Sequence, residues 1–359
     1  MIRAQSTGAT ISVCSVGAAF AFAIATFAFE PVSRANDCNN PLIGACINSD
    51  TYWPNPGPSR FATVAGTETV TPSEIAFGLV ASFQSKPITL DIASPGAGGT
   101  KTAVVRNQVT GNFLFAYGVT NRLELDLAVP VTFIQSGTGT SSITGGDNLN
   151  DTAVRDVRFG VAYALVPRAR IAPEKAVDGS AMGNAWPAWS LTARFQMSAP
   201  TSDLASFAGE RTAVFIPSLA ADYRVERWFF GAELGARIRP VTEFQGARVG
   251  TQLALGLGAG YDILERERLA VMAEARGYVN VAEQHDTTPS ASGISSTANG
   301  KIIVPAEWFL GLRTAPVLGG SVALFGGGGG PIPVGDAITA PHFRFILGAV
   351  YAPVGANRR

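Results

Sequence analysis

Side chains suited to acid–base or metal chemistry are few in this sequence. Its 359 residues include two histidines and three cysteines. His285 is followed by Asp286, and an adjacent carboxylate can orient a general base. No second acidic cluster stands near the pair, so it reads as part of a solvated loop, as does His342. No catalytic residue is assigned. A loop carries Asp147, Asn148, Asn150 and Asp151. Oxygen-rich loops can hold calcium, but this spacing is not that of an EF-hand, and a plain turn is the reading. Gly256, Gly258 and Gly260, like the run Gly326–Gly330, would suit a phosphate loop only with a helix behind them. No helical pattern follows either. They read instead as glycines that thin one face of a strand or let a sheet curve. No enzyme activity, metal or other cofactor is therefore expected.

Charge placed at every second residue is far more abundant. Arg158, Arg194, Glu233, Arg237, Arg239, Glu274, Arg276, Glu307, Arg313 and Arg344 all stand in segments whose alternate positions are apolar. Side chains of a strand point to opposite faces in turn, so these charges would share one polar face. Arginine dominates it. Two uses fit: a water-filled lumen whose arginines set selectivity for small, anionic solutes, or wall-to-wall ion pairs that stiffen a narrow barrel.

The elements that would position this face are strands of period two. Leu123, Leu125, Leu127, Val129 and Val131 alternate with Glu124, Asp126, Ala128, Pro130 and Thr132. Phe159, Val161, Tyr163 and Leu165 alternate with Arg158 and small residues, and Trp189 to Ser198 repeats the pattern. Phe215 to Tyr223, Phe230 to Arg239, Leu253 to Ile263, Leu269 to Arg276, Trp308 to Arg313 and Phe343 to Tyr351 continue it. With Ile75–Gln84, Phe113–Tyr117 and a weak strand from Val322, the count is twelve. Connections alternate in length. Those after Tyr117, Tyr223 and Tyr261 are short, whereas Lys86–Lys101, Ser136–Arg155, Ser198–Arg211 and Glu283–Lys301 are long and polar. Short periplasmic turns and long outer loops are the asymmetry of an outer-membrane barrel. Pro167–Pro187 breaks the rule by being long where a short turn is due. Tyr117, Tyr163, Tyr223, Tyr261 and Tyr351 fall on the apolar face near the short-turn end, where they would form a headgroup-level girdle.

Composition agrees. Charged residues are 15% of the chain, against about 25% in soluble domains, and mean hydropathy is +0.21. Yet no stretch after residue 30 is apolar for the roughly 18 residues that a membrane helix needs. Residues 1–35 read as a cleavable export signal, with Arg3, an apolar core from Ile11 to Phe29, Pro31 and a Ser33-Arg34-Ala35 cleavage site. Losing Arg3, Arg34 and Glu30 takes the 27 basic and 27 acidic residues to 25 and 26, a net of −1. That leaves no basic excess for nucleic acid. Residues 36–72, rich in Pro, Asn, Gly and Thr, have no period and read as a periplasmic or plug-like lead-in. Cys38 and Cys46 within it would form a small disulfide in an oxidising compartment; the metal-site alternative lacks partner ligands. The barrel would span 73–353, followed by a tail, 354–359.

Several runs resemble a family of Gram-negative outer-membrane barrels, including OmpA-type barrel domains: TYWPNPGPSRFATVAGTETV, NQVTGNFLFAYGVTNRLELDLAVPVTF, TAVRDVRFGVAYALVP, FAGERTAVFIPSLAADYR and FRFILGAVYAP. They extend from residue 51 to 353. The resemblance implies a twelve-stranded barrel in the outer membrane, without the C-terminal peptidoglycan-binding domain of many relatives. Residues 343–351 also resemble the last strand read by barrel-assembly machinery, although six residues follow Pro353. The expectation is an all-β antiparallel transmembrane barrel acting as a porin-like passive channel for small hydrophilic solutes. The alternative is a non-conducting structural or surface-interaction barrel.

Overall fold

The computed structural model describes residues 46–92, 100–141, 148–168, 188–244, 247–264, 269–290, 293–314, 322–334 and 339–353. The signal segment, Cys38, Asp147, the tail and most of the 167–187 connection lie outside them.

Twelve strands form the wall: β1 (Ile75–Ile92), β2 (Thr100–Gly118), β3 (Leu123–Ser136), β4 (Arg158–Val166), β5 (Trp189–Ser198), β6 (Val214–Val225), β7 (Trp228–Arg237), β8 (Gln252–Asp262), β9 (Leu269–Asn280), β10 (Ala306–Thr314), β11 (Val322–Pro331) and β12 (Phe343–Tyr351). Each pairs antiparallel with its neighbours in the chain, and β1 pairs with β12 from Phe77↔Tyr351 to Ser85↔Phe343. The ring is therefore closed and leaves no free edge, as a lipid-immersed sheet requires.

The alternation fixes which face is outside. Leu253, Leu255 and Leu257 of β8 are 48%, 48% and 65% exposed, whereas Glu274 of the adjacent β9 is 4% exposed and Arg344 of β12 is 1%. A water-soluble sandwich would have these reversed. An apolar outer belt around a charged interior is the surface of a barrel in hydrocarbon.

Two expected loops prove to be largely strand; within Glu283–Lys301, His285–Ser290 pairs antiparallel with Gly293–Ala298 as a separate two-stranded sheet. Lys86–Lys101 was read as a long polar connection, but β1 and β2 continue to Ile92 and from Thr100. They are 18 and 19 residues long, beyond the roughly 9–11 that cross a bilayer. A bulge between Ser85 and Ile88 marks the departure, with Lys86 at φ 49°. Pro87 there cannot donate to the ladder, and a bulge accommodates it.

Residues 46–72 do not stay outside the ring. At the short-turn rim Pro72 bridges Gly118, and at the long-loop rim the Ser49 amide donates to the Phe207 carbonyl at 3.0 Å. Between these points the segment runs along the bore. Tyr52, Phe61, Ala62 and Val64 pack there with wall residues Val80, Leu114, Phe229, Met272, Phe309 and Ile346. Cys46 is disulfide-bonded.

Candidate functional site: the charged bore and its occupant

The inward charges meet the segment rather than open solvent. Glu274 accepts from the Ala62 amide on Oε1 at 2.8 Å. Its Oε2 accepts from the Thr63 amide at 2.7 Å, the Thr63 hydroxyl at 2.7 Å and the Val64 amide at 2.9 Å. Glu233 accepts from the Ala65 amide at 3.0 Å, Glu124 from the Val70 amide at 2.8 Å, and Glu307 from the Thr51 hydroxyl at 2.9 Å. Arginines take the carbonyls. Arg158 donates to Pro54 at 3.3 Å, Arg194 to Gly66 at 3.0 Å and Arg237 to Thr51 at 2.9 Å. Wall carboxylates thus receive N–H groups and wall guanidiniums donate to C=O groups, so these backbone groups of the segment are satisfied without belonging to a sheet.

Ion pairs add to these contacts. Arg344 holds Asp50 of the segment at 2.8 Å and Glu307 at 2.7 Å; Arg276 reaches Glu307 at 3.4 Å. Arg194 lies 3.8 Å from Glu124 and 3.9 Å from Asp126. Arg239 pairs with Glu210 of the long-loop layer and donates to the Gly250 carbonyl at 3.0 Å. Arg313, at the opposite end of its strand, is half-buried. The expected polar face therefore exists, with its arginines and glutamates on one side of the wall. Where it was read as facing water, much of it faces the chain. Two cavities lined jointly by segment and wall have volumes of about 40 and about 10 Å³, room for a few water molecules and one at most.

Aromatic contacts concentrate near the long-loop half. The Arg237 guanidinium lies 4.0 Å from the ring centres of both Trp53 and Tyr278, and Arg158 lies 5.3 Å from Trp53. Arg276 and Arg344 lie 4.8 and 5.5 Å from the ring of Tyr52. Further along the bore, Phe61 fills a hollow over Gly231 and Gly258. A Cβ on either glycine would come within 2.4 or 2.6 Å of its ring.

The tyrosines sit where alternation puts them. Tyr117, Tyr163, Tyr223 and Tyr351 are exposed and Tyr261 is half-buried. Register sets two tryptophans beside them. Trp189 pairs with Tyr223 and Trp228 with Tyr261, whose rings are 4.9 Å apart in the second pair. Both tryptophans begin strands at the short-turn rim, a position that a list of tyrosines does not reveal. Glu124 and Asp126 were likewise read as mere alternates of a polar face and are buried partners of the bore. His285 lies 2.7 Å from Arg248, while Asp286 accepts from Asn299 at 2.8 Å. Asn150 donates to Asp203 at 2.7 Å.

In sequence, no family model and no curated protein matches the chain. Among solved structures it is similar to the COG4313 outer membrane channel from Pseudomonas putida F1, at 17% identity and a TM-score of 0.49, covering 80% of this chain and 98% of that one. It is also similar to the NanC porin, at 8% identity and a TM-score of 0.42, covering 77% and 100%. The P. putida toluene transporter TodX is similar at 10% identity and a TM-score of 0.38, covering 84% and 96%. The geometry itself defines the chain as a twelve-stranded antiparallel barrel of the kind that spans outer membranes, carrying its own N-terminal segment in the bore.

Proposed function

We propose that this protein is an outer-membrane channel for small hydrophilic solutes that is held closed by residues 46–72 and conducts when that segment shifts. One observation carries the reading: beside the apolar cluster around Phe61, charged side chains of the wall bind the segment's backbone along much of its length. Glu124, Glu233, Glu274, Arg158, Arg194 and Arg237 bind backbone groups of the segment. Water can replace such hydrogen bonds on both surfaces, at a net cost of about 1 kcal/mol each. An apolar plug would leave greasy walls that water wets poorly. The freed wall would carry a charged, hydrated track beside an apolar patch of Phe229, Met272 and Phe309, and the charged track is what a path for polar solutes requires. This departs from an always-open porin, because the resting bore is occupied.

A second reading is favoured by the small size of the two cavities and by the buried ion pairs of Arg344. On that view the segment is permanent and the barrel is a structural or surface-interaction scaffold. Planar-bilayer recordings separate them, with folding checked by the different gel mobility of unboiled protein. The gated channel shows a mostly silent wild type with brief openings, and Glu274→Gln opens more often. Silence in both would favour the scaffold, and steady conductance in wild type that Glu274→Gln leaves unchanged would refute gating.

A further inference from the structure

The closed bore contains an arrangement that the gating reading does not require. Four guanidiniums from four strands, Arg158, Arg237, Arg276 and Arg344, converge on two neighbouring aromatic side chains of the segment, Tyr52 and Trp53. Each ring lies within contact range of two of them, and beside the rings the Asp50 carboxylate accepts from Arg344 at 2.8 Å. The segment thus offers these arginines two aromatic faces and one carboxylate. Tyr278 belongs to the wall and stays, with its ring facing Arg237 and its hydroxyl accepting from Arg237 at 2.9 Å. Arg158 is 1% exposed, yet its Nε and Nη1 have no hydrogen-bond partner. A buried guanidinium with unused donors is costly in a purely structural role.

We infer that these arginines form a binding site for aromatic carboxylates, and that Asp50, Tyr52 and Trp53 occupy it as an internal stand-in for such a ligand. The assignment rests on the proposed gating, because a solute reaches the arginines when the segment moves aside. Arginine suits this ligand class on two counts. Its planar face stacks on aromatic rings, and its fork of N–H donors matches a carboxylate. Withdrawal of the segment also removes Asp50. Glu307 holds Arg276 and Arg344, and Asp126 and Glu210 act on Arg158 and Arg237, so an incoming anion is drawn to the unused donors of Arg158 and to the place Asp50 leaves on Arg344. The free donors of Arg158 are available to its carboxylate. A neutral arene would leave those donors unmet, and an aliphatic acid would lose the stacking.

The test uses the full-length protein in proteoliposomes and planar bilayers, with benzoate, cyclohexanecarboxylate and benzylammonium as probes. Tyr52→Ala with Trp53→Ala vacates the site. In that variant benzoate should permeate about fivefold faster than cyclohexanecarboxylate, with benzylammonium slowest. Arg158→Gln with Arg237→Gln, added to it, should abolish the benzoate preference and leave potassium chloride conductance in place. In the wild type, benzoate should speed amide exchange at residues 50–53 and cyclohexanecarboxylate should not, a readout independent of whether the variants fold. Equal permeation of the two acids, in a variant that conducts potassium chloride, overturns the ligand assignment and leaves gating intact. Absence of potassium chloride conductance from the vacated, folded variant overturns the channel reading and this assignment together.

Discussion

Thr63 is held twice by Glu274: the carboxylate Oε2 accepts both its backbone amide and its hydroxyl at 2.7 Å. With the amides of Ala62 and Val64, four donors from one turn converge on a single side chain of the wall. An amide in place of the carboxylate keeps one acceptor oxygen and points two N–H groups at donors. Glu274→Gln should loosen residues 61–66 by about 1–3 kcal/mol. Amide exchange at Thr63 and Val64 should quicken by one to two orders of magnitude, while β8 and β9 keep their protection.

The seat of the segment can be tested covalently. Thr67 Oγ1 and Ser190 Oγ are 2.7 Å apart, so cysteine sulfurs at these positions would come within reach of a bond of about 2.05 Å. Thr67→Cys with Ser190→Cys should cross-link without added oxidant during export, seen as loss of two titratable thiols. Free thiols in the folded double variant would mean that the segment does not rest against β5.

Space for Phe61 is a further check. Its ring lies over Gly231 and Gly258, where no Cβ intervenes. Gly258→Leu should expel the ring and raise the frequency of channel openings, at a cost of about 1–3 kcal/mol from overpacking. A silent, fully protected segment in this variant would refute the seat.

Acid should firm the long-loop layer. Asp156 stands in the connection before β4 and accepts from the amides of Thr201 and Ser202 at 3.1 Å and of Glu210 at 2.7 Å. Burial pushes its carboxyl up to about 6, with the nearby Glu210 charge adding to the rise and the backbone hydrogen bonds opposing it. The folded loop therefore holds the proton more tightly than the open one. This contribution is fully present below the ordinary carboxylate value and is lost as pH rises through about 6. Protection of the 199–210 amides should be higher at pH 5 than at pH 7.5, and Asp156→Asn should flatten the difference. Protection that rises with pH in the wild type would contradict the assignment.

The belt predicts an asymmetry of its own. Leu257 lies mid-strand on the outer face and Val281 lies just past β9 at the rim. Leu257→Arg should destabilise the barrel in bilayers by about 2–4 kcal/mol, and Val281→Arg by about 1 kcal/mol or less. Urea unfolding from phospholipid vesicles measures both.

The wall was legible because its signal is periodic. Leucines at 253, 255 and 257 and charges at 274 and 276 announce two faces, and lipid outside with arginine inside follows from few residues. Residues 46–72 were legible as aperiodic and as a candidate plug, but their path was not. Their contacts engage N–H and C=O groups, which every sequence possesses, and the side chains that select the path sit far away in the chain, as Glu274 does from Thr63. Trp189 and Trp228 escaped for a related reason: their place beside Tyr223 and Tyr261 is set by cross-strand register. The extension of β1 and β2 escaped because polar, Pro-containing sequence marks a bulged strand and a loop alike.

The route of residues 46–72 through a closed ring also constrains the order of assembly. A strand of chain that enters by one rim and leaves by the other cannot be added sideways once β1 has zipped to β12. Either the wall is drawn around it, so that the last seam seals with the passenger aboard, or the free end is pulled lengthwise through the finished ring. In the first case the carboxylates and guanidiniums that bind the passenger would also act as a template on which the wall closes.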